Sequence, residues 1–331
     1  IRPSGAAGRI VLNGTGNQDI SGDGNGKFNN LAVNKTGGEL TVSSDIQING
    51  AFSLVSNIRV NLGSNRLILG ENAAVYSALG TGAIFNNNKM ILTNGFGSDR
   101  GITKLFSGSG SEIILLPYGF YVSDNSTYYY MPSTIEYSGA VEGTVTSRPV
   151  KEHHPLAQNL SLSTYWKNTT TGFEGVSSNA FRLRFTYNDY FISGIEANYV
   201  AAVYRHGDSW IYLNDPTAIN TATNTITFAN QPTANGDHTA GYIEAFGSIP
   251  VLYSRENGDW DSTSTWSETG HDGVPASQIP NETTLVIIGE GHTVQINSNG
   301  KRAGGLRLLA GTTLDITNTT GHDFSSIPEE K

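Results

Sequence analysis

Apolar and polar positions alternate in very short runs near the start of the chain, and the runs recur. Between Lys27 and Gly70 they are separated by Asn, Gly and Ser. Leu31-Ala32-Val33 returns as Phe52-Ser53-Leu54, Leu40-Thr41-Val42 as Ile58-Arg59-Val60, and Ile46-Gln47-Ile48 as Leu67-Ile68-Leu69, at offsets of 21, 18 and 21 residues. An upstream copy fits as well, Ile10-Val11-Leu12 preceding Leu31 by 21 and Gln18-Asp19-Ile20 preceding Leu40 by 22. A period near 21 with three strands per period describes a coil whose inward face is covered only by stacking on its neighbours. The pattern predicts a parallel β-solenoid over residues 1–117, with Ile10, Leu31 and Phe52 directly over one another. Ala73-Ala74-Val75, Ala83-Ile84-Phe85 and Met90-Ile91-Leu92 continue it more loosely, the last triplet 23 residues after Leu67. Asn29-Asn30 and Asn86-Asn87-Asn88 fall at corners, where a short amide can bond the next coil.

From about Tyr118 to Pro250 the period is lost and the strands lengthen. Candidates are 133–137, 143–147, 181–187, 199–205, 209–213, 225–228 and 241–245. Phe181-Arg182-Leu183-Arg184-Phe185 sends Phe181, Leu183 and Phe185 to one face and the arginines to the other. Gly207-Asp208 reads as a hairpin turn. Several such strands without helical periodicity predict an antiparallel β-sandwich over 118–250. After Val251 the short runs return: Leu285-Val286-Ile287 recurs as Leu306-Arg307-Leu308 and Val294-Gln295-Ile296 as Leu314-Asp315-Ile316, 21 and 20 residues on. The expectation is an all-β, elongated chain in which 251–331 is a linker and a partial second β-solenoid, capped by Trp260 and Trp266.

Composition narrows the function. The 39 glycines sit between apolar runs and punctuate strands. Charged residues make up 15% and the formal charge of −9 is spread thinly, with no basic cluster to neutralise a row of phosphates, so nucleic acid is not an expected partner. No apolar run approaches the roughly 20 residues of a membrane span, so direct membrane insertion is not expected either. The absence of cysteine suggests stability from sheet ladders. No signal peptide precedes Ile1 and the repeat is under way by Ile10, so the chain reads as a mature or excised piece of a longer one.

Several strings, GNQDISGDGNGKFNNLAVNKTGGELTVSSDIQINGAFSL, LLPYG, TYWKNTT, FRLRFTYND, VYRHGDSWIYL, YSRENGDWDSTSTWS and LVIIGEGHTVQI, resemble in this order the recurrent modules of very large exported Bacteroidetes proteins. These include gliding and surface adhesins carried by the type IX secretion system. The resemblance implies a secreted or cell-surface stalk, adhesin or repeat protein, with no catalytic centre in these modules and with flanking modules of the same chain as neighbours. The end, DFSSIPEEK, does not resemble a C-terminal sorting domain. Asp261-Ser262-Thr263 resembles the short O-glycosylation acceptor of that group, which makes Ser262 a candidate modification site.

Solenoids also carry polysaccharide lyases and glycosidases, which need a base with clustered cations or two convergent carboxylates. The charges of the first solenoid, among them Lys35, Glu39, Arg59 and Arg66, do not fall at equal phase on adjacent coils, so no enzyme is expected. His153-His154 is the only histidine pair, and strand neighbours face opposite ways. Asp23-Gly24-Asn25-Gly26 places oxygen donors at Asp23 and Asn25 as calcium loops do, but lacks the closing Glu, so a turn is the preferred account and no cofactor is expected, calcium being the alternative. Aromatic residues carry the best hint. Flat rings stack on sugars, and exposed Tyr128, Tyr130 or Tyr190 would build a carbohydrate site, whereas Trp166 and Trp210 are assigned to the core. The expected function is structural and adhesive, with surface glycans or other cell-surface proteins as partners. The alternative is a carbohydrate-binding module or an accessory part of a polysaccharide-degrading enzyme.

Overall fold

The computed structural model describes residues 8–78, 84–157, 160–205, 210–213, 215–246, 250–281, 284–317 and 319–326. The chain is all-β: among the described residues every named element is a strand apart from four short 3-10 turns, and no helix is long and apolar enough to cross a membrane. It divides into two compact units, Ile1–Gly241 and Tyr242–Lys331.

In the first unit the recurring triplets form three parallel ladders. Arg9–Gly14, Asn30–Lys35, Ala51–Leu54 and Ala74–Tyr76 pair in sequence order, with Ile10 opposite Leu31, Leu31 opposite Phe52 and Phe52 opposite Val75. A second ladder runs from Gln18–Ile20 through Leu40–Val42 to Arg59–Gly63, and a third from Gly26–Phe28 through Ile46–Ile48 to Arg66–Leu69. Leu31, Val33, Leu40, Val42, Ile46, Ile48, Phe52 and Leu54 are buried, as alternation along each strand requires.

The corners are tied by side chains. Asn30 Nδ2 donates to the Gly8 carbonyl at 3.2 Å, and its Oδ1 accepts the Ala51 N–H at 2.8 Å, so one amide bonds the coil on either side. Asp45 accepts the Arg66 N–H and Asn65 donates to the Val42 carbonyl in the same manner.

Two expected alignments shift. Leu40 lies opposite Val60, not Ile58, because Val60 and Leu62 supply the inward pair of Arg59–Gly63. Met90–Thr93 extends the second ladder, Ile91 opposite Val60, and does not follow Leu67; the strand that does is Gly101–Phe106, with Ile102 opposite Leu67. Of the expected Ala83-Ile84-Phe85 run, Ala83 lies outside the described residues, and Ile84 and Phe85 are in no strand, Ile84 being exposed. Gly207-Asp208 also lies outside the described residues.

Pairing does not stop where the period ends. Gly101–Phe106 pairs parallel with Arg66–Leu69 on one side and antiparallel with Gly143–Val150 on the other. The same nine-stranded sheet then continues antiparallel through Tyr165–Gly172, Gly236–Gly241, Val200–Tyr204 and Trp210–Leu213. A five-stranded antiparallel sheet is formed by Gly110–Leu116, Ser133–Gly139, Phe181–Thr186, Thr225–Gln231 and Ile219–Asn220. Rings from the two sheets meet in one core: Trp166 stacks on Phe185 with centroids 5.0 Å apart, Phe106 meets Tyr137 at 5.5 Å, and His238 lies 4.8 Å from Phe228 and 5.1 Å from Phe185.

The expected strand at 241–245 is Gly236–Gly241 instead, followed by a 3-10 turn at Ile243–Phe246. Its sequence, GDHTAG, has no apolar alternation, yet it is buried throughout between Tyr165–Gly172 and Val200–Tyr204, where backbone pairing decides its state. Trp166 is buried as expected. Trp210 is only half-buried, its indole N–H donating to the Leu156 carbonyl at 3.2 Å.

The second unit has the same parallel pairing in a shorter stack. Val251–Ser254, Leu285–Ile288, Arg302–Leu308 and Asp323–Ser326 form one ladder, with Trp266–Ser267 added antiparallel at its edge; Gly258–Asp259, Thr293–Ile296 and Thr313–Ile316 form the other. Val294 lies opposite Leu314, as the period predicts. Leu285 lies opposite Gly305, one residue from the expected register. All four positions of Leu285–Ile288 are apolar, so the sequence left the phase open, and the buried Val286 and Ile288 align with Leu306 and Leu308. Trp260 and Trp266 are fully buried in this unit's core with rings 5.3 Å apart, and Trp260 reaches Phe324 of the last strand at 5.1 Å.

Two measurements probe these cores. The Trp266 indole N–H donates to the Trp260 carbonyl at 2.9 Å, whereas the buried Trp260 Nε1 has no partner among the described residues. Trp266→Phe should therefore cost more in urea unfolding of the second unit than Trp260→Phe, by about 1–2 kcal/mol, because only the former breaks a bond and orphans a buried carbonyl. In the first unit, burial and the nearby Arg205 push the His238 imidazole down to about 3. Below pH 6.5 the unfolded chain takes up a proton at this site that the folded chain refuses, so stability falls as pH falls. The loss from this residue reaches about 2 kcal/mol at pH 5. Urea melts at pH 7.5 and pH 5 should show a smaller difference for His238→Leu than for the parent chain.

Candidate functional site

The strands that follow the second ladder build a groove on its outward face. Val60 and Leu62 point into the core, so Arg59 and Asn61 point out. Leu92 lies opposite Asn61, Gly119 of Tyr118–Val122 lies opposite Leu92, and Tyr121 lies opposite Tyr128 of Thr127–Tyr130. Asn61, Leu92, Tyr121 and Tyr128 thus share one face. With Gly38, Glu39, Asn57, Arg59, Asn88, Asn94, Phe96 and Lys151, among others, they line an open groove of about 620 Å³.

Its floor is aromatic and its charged groups are held. The Tyr121 and Tyr128 rings lie 4.8 Å apart, tilted by 48°, and the Arg59 guanidinium sits 3.8 Å above the Tyr128 ring. Arg59 Nε donates to the Asn87 carbonyl and its Nη2 to Asn88 Oδ1, each at 2.6 Å. Lys151 Nζ lies 4.9 Å from the Phe96 ring centre and donates to the Tyr121 carbonyl at 3.1 Å.

Phe96 is half exposed on the segment after Met90–Thr93, and that segment is fastened twice. Asp99 accepts the Phe96 N–H at 3.1 Å and the Asn94 amide at 3.4 Å, and Arg148 donates through Nε and Nη2 to the Gly97 carbonyl at 3.0 and 2.9 Å. Burial raises the Asp99 carboxyl and lowers the Arg148 guanidinium from their usual ranges, the mark of polar groups enclosed in packed protein. Glycine is required at two points beneath the groove. A Cβ at Gly119 would overlap the Tyr129 carbonyl and approach Met90 Sδ to 2.7 Å, and Gly95, at φ +76°, lies against the Lys151 stem.

The residues singled out in the sequence fall in different places. Tyr128 lines the groove. Tyr130 is on the same face of the same strand but half-buried, its N–H held by Asn87 Oδ1 at 2.9 Å and its hydroxyl kept protonated by burial. Tyr190 is exposed but stacks on Tyr129, 5.1 Å between centroids. Tyr129 lies on the opposite face of the strand from Tyr128, so the three tyrosines do not form one platform.

Asp23 and Asn25 make a turn: Asp23 Oδ1 accepts the Asn25 N–H at 3.0 Å, and that donor lowers the exposed carboxyl. No group of three His, Cys, Asp or Glu residues is placed to hold a metal ion among the described residues. His154 is buried, its Nε2 3.1 Å from Asp237 Oδ2 and its Nδ1 accepting the Leu156 N–H, while the ring of Trp210 packs on it at 4.8 Å; His153 turns instead to Ser161 at 3.3 Å. Ser262 is half-buried, with Oγ 2.8 Å from Ser264 Oγ.

The groove brings aromatic faces, amides and two cations together around a single carboxylate, Glu39. It can therefore stack and hydrogen-bond a ligand, and it does not present the pair of carboxylates that glycoside hydrolysis employs. Arg59 and Asn61 were legible as outward positions of an amphipathic strand. Phe96, Asn88 and Lys151 arrive from segments whose approach only the folded chain shows. Neither a protein-family model, nor a curated protein, nor a solved structure matches this chain.

Replacing Gly119 should be costly where replacing an unhindered glycine is not. Gly119→Ala is expected to lower unfolding free energy by about 1–3 kcal/mol through overpacking, against less than about 0.5 kcal/mol for Gly16→Ala, whose Cβ would meet nothing within 4 Å. Urea titration of the two variants checks this.

Proposed function

We propose that the chain is a structural and adhesive module of a secreted or cell-surface bacterial protein, without catalysis of its own, and that it holds surface glycans in the groove between Arg59 and Lys151. In this reading the parallel ladders are a β-solenoid that runs into an antiparallel β-sandwich, and the second unit is a short further solenoid. The observation that carries it is the groove itself: Tyr121, Tyr128 and Phe96 offer ring faces beside Asn57, Asn61, Asn88 and Asn94, on paired strands and a twice-fastened loop. Sugars present apolar ring faces edged by hydroxyls, and such a surface meets both needs. Strand-borne side chains are also already ordered, so binding loses little freedom.

Two further features support a surface setting. The ordered strings from GNQDISGDGNGKF to LVIIGEGHTVQI resemble exported adhesin modules, and stability here comes from continuous ladders with no cysteine. Flanking modules of the same chain and other cell-surface proteins are the remaining proposed partners.

A glycan array probed with the purified chain tests the proposal. Binding to at least one glycan class is expected, with loss of signal in Tyr121→Ala and Tyr128→Ala variants whose far-ultraviolet circular dichroism is unchanged. A folded parent chain that binds no glycan would overturn it.

A further inference from the structure

We infer that the groove selects acidic glycans, with Arg59 and Lys151 receiving the carboxylate of a uronate residue; this rests on the glycan-binding reading above. The first observation is charge. The chain carries a formal charge of −9, yet the groove lining holds two cations, Arg59 and Lys151, and one acidic residue, Glu39. An acidic protein thus places positive charge where aromatic rings and amides converge.

The second observation is that both charges are left unneutralised. Elsewhere in this unit cations pair with carboxylates, Arg100 with Asp45 at 2.8 Å and Lys104 with Glu112 at 2.6 Å. Among the described residues Arg59 and Lys151 meet only neutral acceptors. Asn87 and Asn88 take Nε and Nη2 of Arg59, and the Tyr121 carbonyl takes one donor of Lys151. That leaves three Arg59 N–H groups, two on Nη1 and one on Nη2, and two Lys151 N–H groups for a ligand.

The third is fixation. The Arg59 guanidinium is held by two hydrogen bonds and by the Tyr128 face, so its remaining donors are oriented before a ligand arrives. The two cations adjoin the Tyr121–Tyr128 pair, Arg59 over one ring and Lys151 on the other residue's carbonyl. A sugar ring stacked on Tyr121, the ring of the pair that Arg59 does not cover, would carry its carboxylate toward a charge-assisted bond, which no neutral hydroxyl can match.

The test is isothermal titration of the purified chain with hexasaccharides of galacturonate, glucuronate and mannuronate, each against its carboxyl-reduced neutral counterpart. At least one uronate hexamer should bind about tenfold or more tightly than its neutral partner. Raising salt from about 0.05 M to about 0.5 M should erode the difference. Lys151→Met, which keeps the stem over Phe96, and Arg59→Gln should each lower the ratio of uronate to neutral affinity several-fold, and together abolish the preference, while Lys151→Arg retains it.

Equal binding of acidic and neutral hexamers would overturn the inference and leave the glycan-binding function standing. So would a uronate preference that survives the double variant. Binding of glycans on the array with no uronate hexamer bound in titration would have the same meaning, and no binding to any sugar would remove both. Should Arg59→Gln fail to fold, the Lys151→Met and Lys151→Arg pair decides alone.

Discussion

Backbone pairing through one strand holds the first unit together. Gly101–Phe106 is the last rung of a parallel ladder and the first strand of an antiparallel one, so nine strands, with Gly26–Phe28 at one edge and Trp210–Leu213 at the other, belong to a single hydrogen-bonded sheet. Lys104, on that strand and almost wholly buried, donates to the carbonyls of Gly70 and Glu71, just past Arg66–Leu69, at 3.0 and 2.6 Å while pairing with Glu112. A buried ammonium is tolerated only with such a full set of acceptors.

A second tie operates at the same junction. The Tyr118 hydroxyl, buried on the six-stranded sheet, lies 2.6 Å from both Ser133 Oγ and Ser147 Oγ, the first on the five-stranded sheet and the second on the nine-stranded one. Burial raises this phenol far above its ordinary range, so it stays a neutral hydroxyl shared between serines. Three sheets are thus fixed by one side chain, and the face on which Tyr121 and Tyr128 stand inherits that rigidity.

The groove's polarity follows from the same architecture. Outward positions of a parallel ladder repeat at each rung, so Asp19, Thr41, Asn61 and Leu92 form a row that grades from polar to apolar toward the antiparallel hairpin. The hairpin then adds tyrosines, and the neighbouring sheet lends Lys151 just past its strand end. Arg59 and the two tyrosines share the six-stranded sheet, and Lys151 comes to them from the end of Gly143–Val150 in the nine-stranded one.

Local repetition was readable because a parallel rung packs chiefly on the rung about 21 residues away, so the spacing of Ile10, Leu31 and Phe52 already states which residues touch. Alternation in Phe181–Thr186 was readable for the same reason, one face being buried and the other not. Where a run is apolar at every position, as in Leu285–Ile288, or has no pattern, as in Gly236–Gly241, the phase and even the presence of a strand were set by neighbours brought in from elsewhere. The groove is the extreme case. Arg59 finds Asn88 across 29 residues and Arg148 finds Gly97 across 51, and Tyr190 leaves the tyrosine cluster because one step along a strand turns a side chain to the other face. Sequence alone determined the repeating backbone and its inward faces, because those depend on spacing within a rung; tertiary structure decided the site, because its charges and rings belong to segments that meet only when the sheets close on one another.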